Sequence, residues 1–242
     1  MTGFTFDRDR QVKTVETDMG SIEVGVVVVA VGPWIKMLWQ MLELPIEVPD
    51  PNGGNSPVEL WRYLALQEGE IDINPYAHIT NDGKRPPLIH VDNDVPLYGE
   101  DGKLVWDQPW GIYFKRDKHA IQGGAVPKHV GSNCELDPYG TRSPHYCVDD
   151  DFYNLWCASL AHCMKRYQDC RPLASRKSSG GVGSFSADNF PIFDFLGPNL
   201  YVIADSNHGF KMIGVGEQVA SILTGGAGEL LKPFNFNRFS EG

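Results

Sequence analysis

The chain has 242 residues, of which 42% are hydrophobic and 21% charged, and its formal net charge is -10. That length fits one large domain or two small ones, and the composition suits a globular protein that can build a core. The acidic balance argues against a nucleic-acid partner, which needs a basic face, and no polybasic patch for a membrane surface stands out. The longest strongly apolar run, Val26 to Val31, is far too short to span a bilayer, and residues 1–13 carry no apolar core of a signal peptide. Five cysteines, Cys134, Cys147, Cys157, Cys163 and Cys170, form no C-x-x-C pair. Together these features point to a cytoplasmic protein with free thiols and no membrane partner. The spacing of His145, Cys147, His162 and Cys163 matches no zinc pattern, so no metal site is expected.

In chain order, residues 3–31 read as β structure. Thr5-Phe6 and Val12 to Thr17 are strand-like, and Met19-Gly20 turns into Ser21 to Val24. The Val-rich run Val24 to Val31 has no polar face, which predicts a parallel strand covered on both sides. Gly32-Pro33 then makes a tight turn, and Trp34, Ile35, Leu38, Met41 and Leu42 recur at helical spacing. Residues 45–58 are rich in Pro, Asn and Gly and read as a loop. From Val58 to Val126 short strands alternate with turns, including a hairpin of Gly111 to Phe114 against Ala120 to Gly124. That pattern predicts an antiparallel sheet.

Residues 127–148 read as loop. Asp149-Asp150-Asp151 caps a helix over 149–169, whose Phe152, Leu155, Trp156, Leu160, Cys163, Met164 and Tyr167 follow at steps of three and four. Asn189 to Asp194 and Leu200 to Ala204 read as strands, and Val215 to Leu223 as a helix. Between the last strand and helix lies Asp205-Ser206-Asn207-His208-Gly209-Phe210-Lys211. On its residues alone this stretch reads either as an ordinary strand-to-helix turn or as a loop whose N–H groups hold an anion or a cofactor edge. The aromatic tail, Phe234, Phe236 and Phe239, is expected to pack across the surface. Three segments follow from this reading: 1–45, 46–175 with the antiparallel sheet and its helix, and 176–242 returning to the first.

Three blocks in this order carry a resemblance. They are Val27-Val28-Val29-Ala30-Val31-Gly32-Pro33-Trp34, the hairpin ending Ala120-Ile121-Gln122-Gly123-Gly124, and Asp188 to Ile192 followed by Asn199 to Ala204 and His208-Gly209-Phe210-Lys211. The chain resembles the FAD-dependent oxidoreductases of the D-amino-acid oxidase superfamily, nearest to the sarcosine oxidase and glycine oxidase branch, over roughly residues 10–226. The resemblance implies an α/β (α+β) fold: a partial FAD-binding Rossmann-like domain with an antiparallel-sheet substrate domain. It implies oxidation of an amino acid or N-methyl amino acid. Lys211 would bind the substrate carboxylate, and His208 would approach the flavin. Asn207, Gly209, Phe210 and Met212 would line the flavin, and Gly32, Pro33 and Trp34 would pack on FAD. Tyr113 and Arg116 would face substrate. For Trp34, plain packing on the helix face is an equal reading.

Departures from the family pattern sharpen this picture. No Gly-x-Gly-x-x-Gly turn precedes Val24, so the N-terminal dinucleotide-binding βαβ unit is lacking. Either the chain is a truncated piece, or another polypeptide supplies that part, or the protein is a silent structural subunit. Gly181 and Gly183 stand where the branch attaches flavin through Cys, which implies non-covalent FAD. Gln122 stands where the branch has a Lys that assists oxygen, so a dehydrogenase using another acceptor is an alternative to an oxidase. The Val-rich strand would have no parallel neighbours in the chain and would expose an apolar edge. The expectation is therefore association with an N-terminal FAD-domain polypeptide or self-association.

Overall fold

The structure is a computed structural model that describes residues 1–74, 76, 78–126, 128–131, 148–175, 180–204 and 212–240. It divides into two compact units. The first gathers Met1–Leu64, His129–Leu136 and Gly183–Gly242, and the second Ala65–Lys128 and Asp137–Val182.

In the first unit, β1 (Gly3–Phe6), β2 (Val12–Thr17) and β3 (Gly20–Glu23) form an antiparallel meander. The Val-rich run forms only a short strand, β4 (Val27–Val29), and leads through a 3-10 turn at Gly32–Trp34 into α1 (Ile35–Met41). Two further short strands, β5 (Glu47–Val48) and β6 (Val58–Glu59), pair with each other. Helix α1 buries Ile35, Leu38 and Trp39; Trp39, outside the expected apolar face, meets Trp61 edge-on at 5.3 Å. Its indole N–H donates to the Pro45 carbonyl at 2.7 Å, so the ring's polar edge is satisfied inside the core.

In the second unit, β7 (Trp61–Ile71), β8 (Ile89–Asn93), β11 (Trp110–Arg116), β12 (Ile121–Ala125), β13 (Lys128–Gly131) and β14 (Gly180–Ser186) make a six-stranded sheet. Its order is β13-β7-β12-β11-β8, with β14 also paired to β7, and the boundary between the units falls inside β7, β13 and β14. The expected hairpin is β11 with β12, in register from Ile112↔Ala125 to Arg116↔Ile121. The short pair β9 (Leu97–Tyr98) and β10 (Leu104–Trp106) lies beside it in sequence. Helix α2 (Asp150–Cys163) is shorter than the expected 149–169: Met164 is extended and a 3-10 turn follows at Lys165–Tyr167. Asp149 caps it, its carboxylate accepting from the Phe152 N–H at 2.8 Å.

Helix α2 packs onto the sheet where side chains are absent. A Cβ on Gly69 would meet the Phe152 ring at 2.6 Å and Trp156 at 3.0 Å. Glycine therefore lets the stacked Phe152 and Trp156 rings rest on bare backbone. Ile71, Ile112, Phe114, Ile121 and Leu160 complete this core.

The chain then returns to the first unit through β15 (Ile192–Gly197), β16 (Leu200–Ala204) and α3 (Met212–Leu223). These strands form a small sheet of order β15-β16-β4, in which β16 pairs antiparallel with β15 and parallel with β4. The parallel character expected of the Val-rich run is present, and β16 is a parallel neighbour within the chain. That corrects the expectation of none. Two-sided cover is also corrected: Val26 is 53% and Val28 43% exposed. The cause is the pairing, because among the described residues β4 pairs on one side only and is an edge strand. Phe236 and Phe239 pack on the first core and Phe234 on the cluster of Phe193, Tyr201, Val219 and Leu231, as the aromatic tail predicted.

Candidate active site

The first unit offers a sheet end. The pairing Val27↔Leu200, Val28↔Tyr201 and Val29↔Val202 brings the carboxyl ends of two parallel strands side by side. In open α/β sheets the crevice outside the carboxyl ends of parallel strands is where ligands bind. Beyond β4 the chain turns at Gly32, whose φ of 56° is left-handed, and a Cβ built there would meet nothing within 4 Å. The turn thus shows bare backbone to open space, while Pro33 is buried beneath it and Trp34 is half-buried. Beyond β16 come Asn207, His208, Gly209, Phe210 and Lys211, which lie outside the described residues, as does the side chain of Met212.

Asn199 holds these strands together. It is 4% exposed; its side-chain carbonyl accepts from the Val12 N–H, and its amide donates to the carbonyls of Val12 and Gly25, each at 2.9 Å. One side chain thereby satisfies both buried backbone groups of Val12 and the part-buried Gly25 carbonyl where β2, β4 and β16 converge. A second tie is the Asp188–Arg238 pair, bidentate at 2.7 and 3.0 Å, which fastens the C-terminal segment to the turn before β15. Burial works against the Asp188 charge. Arg238, the Phe190 N–H and the Ser186 hydroxyl outweigh it and hold the carboxyl below the usual range.

The second unit offers a sheet face. Alternation along β11 puts Tyr113 and Lys115 on the face away from α2, and Ile112 and Phe114 in the core. Tyr113 lies over Gly124, since a Cβ there would meet its ring carbons at 2.5 and 2.8 Å. From that position its hydroxyl donates to Glu68 Oε1 at 3.3 Å, and its ring lies 5.6 Å from the cross-strand His90. Lys115, Gln122 and Glu70 form the next row across the same face. Arg116 is not beside Tyr113. Three residues on, it falls on the opposite face and covers the Tyr76 ring at 4.4 Å in a cation–π contact. Of the residues expected to face substrate, the structure therefore separates these two.

On the α2 side lies a polar pair that sequence reasoning missed. His78 is buried, and its Nδ1 meets the Tyr167 hydroxyl at 2.9 Å beside Phe114. Burial first, then the charges of Arg166 and Arg116, push His78 below the ordinary histidine range. Burial pushes Tyr167 up to about 12, so both stay neutral near pH 7. No periodic signal marks a lone histidine in a polar loop as a core residue.

No family model and no curated protein matches this sequence. Solved structures do. The whole chain superposes on 54% of L-proline dehydrogenase from P. horikoshii, with a TM-score of 0.62 and 20% identity. L-amino acid deaminase from Proteus vulgaris matches 98% of the chain with 56% of its own, at a TM-score of 0.56 and 16% identity. Glycine oxidase from Bacillus cereus matches 96% with 50%, at 0.51 and 13%. The chain thus spans about half the length of the solved structures it matches. At these identities the likeness is one of fold. In that sense the resemblance drawn from the ordered blocks holds for the fold: this chain shares the fold of about half of each of these dehydrogenase, deaminase and oxidase structures.

Proposed function

We propose that this chain forms part of an FAD-dependent oxidoreductase that acts on an amino acid or N-methyl amino acid. The observation that carries this reading is the parallel β4–β16 pair, whose carboxyl ends lead into the open Gly32-Pro33-Trp34 turn and into the 205–211 segment. The fit to the cofactor is partial. Bare backbone at Gly32 suits the approach of a flat ring, whereas no Gly-x-Gly-x-x-Gly turn is available for the pyrophosphate. A segment carrying that turn, on the same polypeptide or on a partner, would supply the rest. FAD, held without a covalent link, supplies hydride acceptance from the carbon beside the substrate nitrogen.

The roles of this chain's residues follow. Gly32, Pro33 and Trp34 would pack against the cofactor from one side, and Asn207, Gly209, Phe210 and Met212 from the other. Lys211 would hold the substrate carboxylate as a point charge, and His208 would stand near the flavin. Tyr113, fixed by Gly124 and Glu68, would bound the substrate. Gln122 in place of Lys favours an acceptor other than oxygen.

The test is to purify the chain with whatever binds it, denature the assembly and measure released FAD by its absorbance. Flavin-free protein that includes the Gly-x-Gly-x-x-Gly segment would refute the reading. A second reading, a structural subunit without chemistry, draws on the exposed Val26 and Val28 edge. An active complex indifferent to Lys211→Ala would favour it.

A further inference from the structure

Cys157 and Cys170 are buried in the core of the second unit, 4% and 2% exposed. On α2, Asp150, Asn154 and Cys157 recur at steps of four and three and so share one face. Arg171 grips that face. Its Nε donates to Asn154 Oδ1 at 2.9 Å, a terminal nitrogen donates to Asp150 Oδ1 at 2.6 Å, and the guanidinium covers the Tyr153 ring at 5.2 Å. Cys170, one residue earlier, is fixed from its other side as well. Asp169 is left-handed, with a φ of 57°, and donates its N–H to a Glu100 carboxylate oxygen at 2.9 Å. The two thiols meet here, and the Cys157 S–H donates to the Cys170 sulfur. That bond pushes Cys157 up, with burial adding to it. The same bond draws Cys170 below the ordinary thiol range, against burial and the Glu100 charge. One sulfur is thus set as a nucleophile with a second thiol already in contact to resolve it. Cys163, at the end of α2, is more exposed, and burial pushes its thiol up.

We propose that Cys157 and Cys170 are an oxidation site for hydrogen peroxide, closing reversibly to a disulfide between α2 and the turn at Arg171–Leu173. The Cys170 thiolate attacks one peroxide oxygen: an S–O bond forms, the O–O bond breaks, and the leaving hydroxide takes up a proton to become water. The Cys157 sulfur, giving up its proton, then attacks the sulfenic sulfur. An S–S bond forms, the S–O bond breaks, and a second water leaves with that proton. Two thiols lose two electrons, and one peroxide is reduced to two waters. Burial restricts the oxidant to one near the size of water and bars a bulky disulfide such as oxidised glutathione. The site lies in the second unit alone and needs no flavin.

The experiment treats the full native chain with hydrogen peroxide, alkylates the remaining thiols and maps the peptides by mass spectrometry. A Cys157–Cys170 disulfide is expected, reversed by dithiothreitol, and absent when oxidised glutathione replaces peroxide. Closing this loop restricts the unfolded chain and should raise the melting temperature by about 5 °C or more. Cys157→Ala should abolish that rise and leave Cys170 as sulfenic or sulfinic acid. The map of the unsubstituted chain decides even if this variant does not fold. Both thiols left free by peroxide, oxidation confined to Cys163, or a disulfide from Cys163 to either of them would overturn the proposal.

Discussion

The two units close their sheets differently. In the second, α2 lays Phe152 and Trp156 onto the backbone at Gly69, and Trp156, Phe114 and Ile121 are fully buried. In the first, the sheet β15-β16-β4 is covered at Tyr201, which is 2% exposed, while its register partner Val28 is 43% exposed. Along one row of one sheet, cover stops between adjacent strands. A valine-rich strand whose second edge is unpaired among the described residues, with exposed valines, is suited to pairing with another strand. The second unit closes its core with its own helix, and the first leaves one edge of β4 unpaired among the described residues.

Trp156→Ala should break this contrast most severely. It removes the ring beneath the sheet and should cost about 3–5 kcal/mol, measured by urea unfolding of the whole chain. Asn199→Ala comes next. It strands the Val12 N–H and the Val12 and Gly25 carbonyls, and should cost about 2–3 kcal/mol. Loss of the first unit's transition alone would show that the clamp acts locally.

The pH dependence should fall in two stages. His78 is held below its unfolded value of about 6.5, so its contribution is complete above that pH and is lost as pH falls through the lower folded value. Asp188 is likewise depressed, and its contribution, present above about pH 4, is lost as pH falls through its own folded value. His78→Gln should flatten the first stage and Asp188→Asn the second in thermal melts across pH. The smallest effect on stability should come from Val28→Lys, within about 0.5 kcal/mol at this exposed position. By light scattering, however, it should suppress association. Unchanged association would remove the edge of β4 as the pairing surface.

What was legible in the sequence follows period and punctuation. The β11–β12 hairpin, the Asp149 cap and the β16 strand each rest on local patterns that the tertiary structure leaves intact. The Val-rich run read as two-sided because composition reports apolarity and not which edge is paired. Tyr113 and Arg116 are both expected to face substrate by resemblance, whereas the two-residue period of a strand sends them to opposite faces. Asn199, His78 and the Asp188–Arg238 pair are tertiary, joining residues far apart in sequence, and no local pattern announces them.

The most direct test of the account is the flavin content of purified protein in which this chain is joined by a Gly-x-Gly-x-x-Gly segment, on the same polypeptide or on another. The account predicts non-covalent FAD, released on denaturation in proportion to the chain. Protein that contains that segment and no FAD would contradict it.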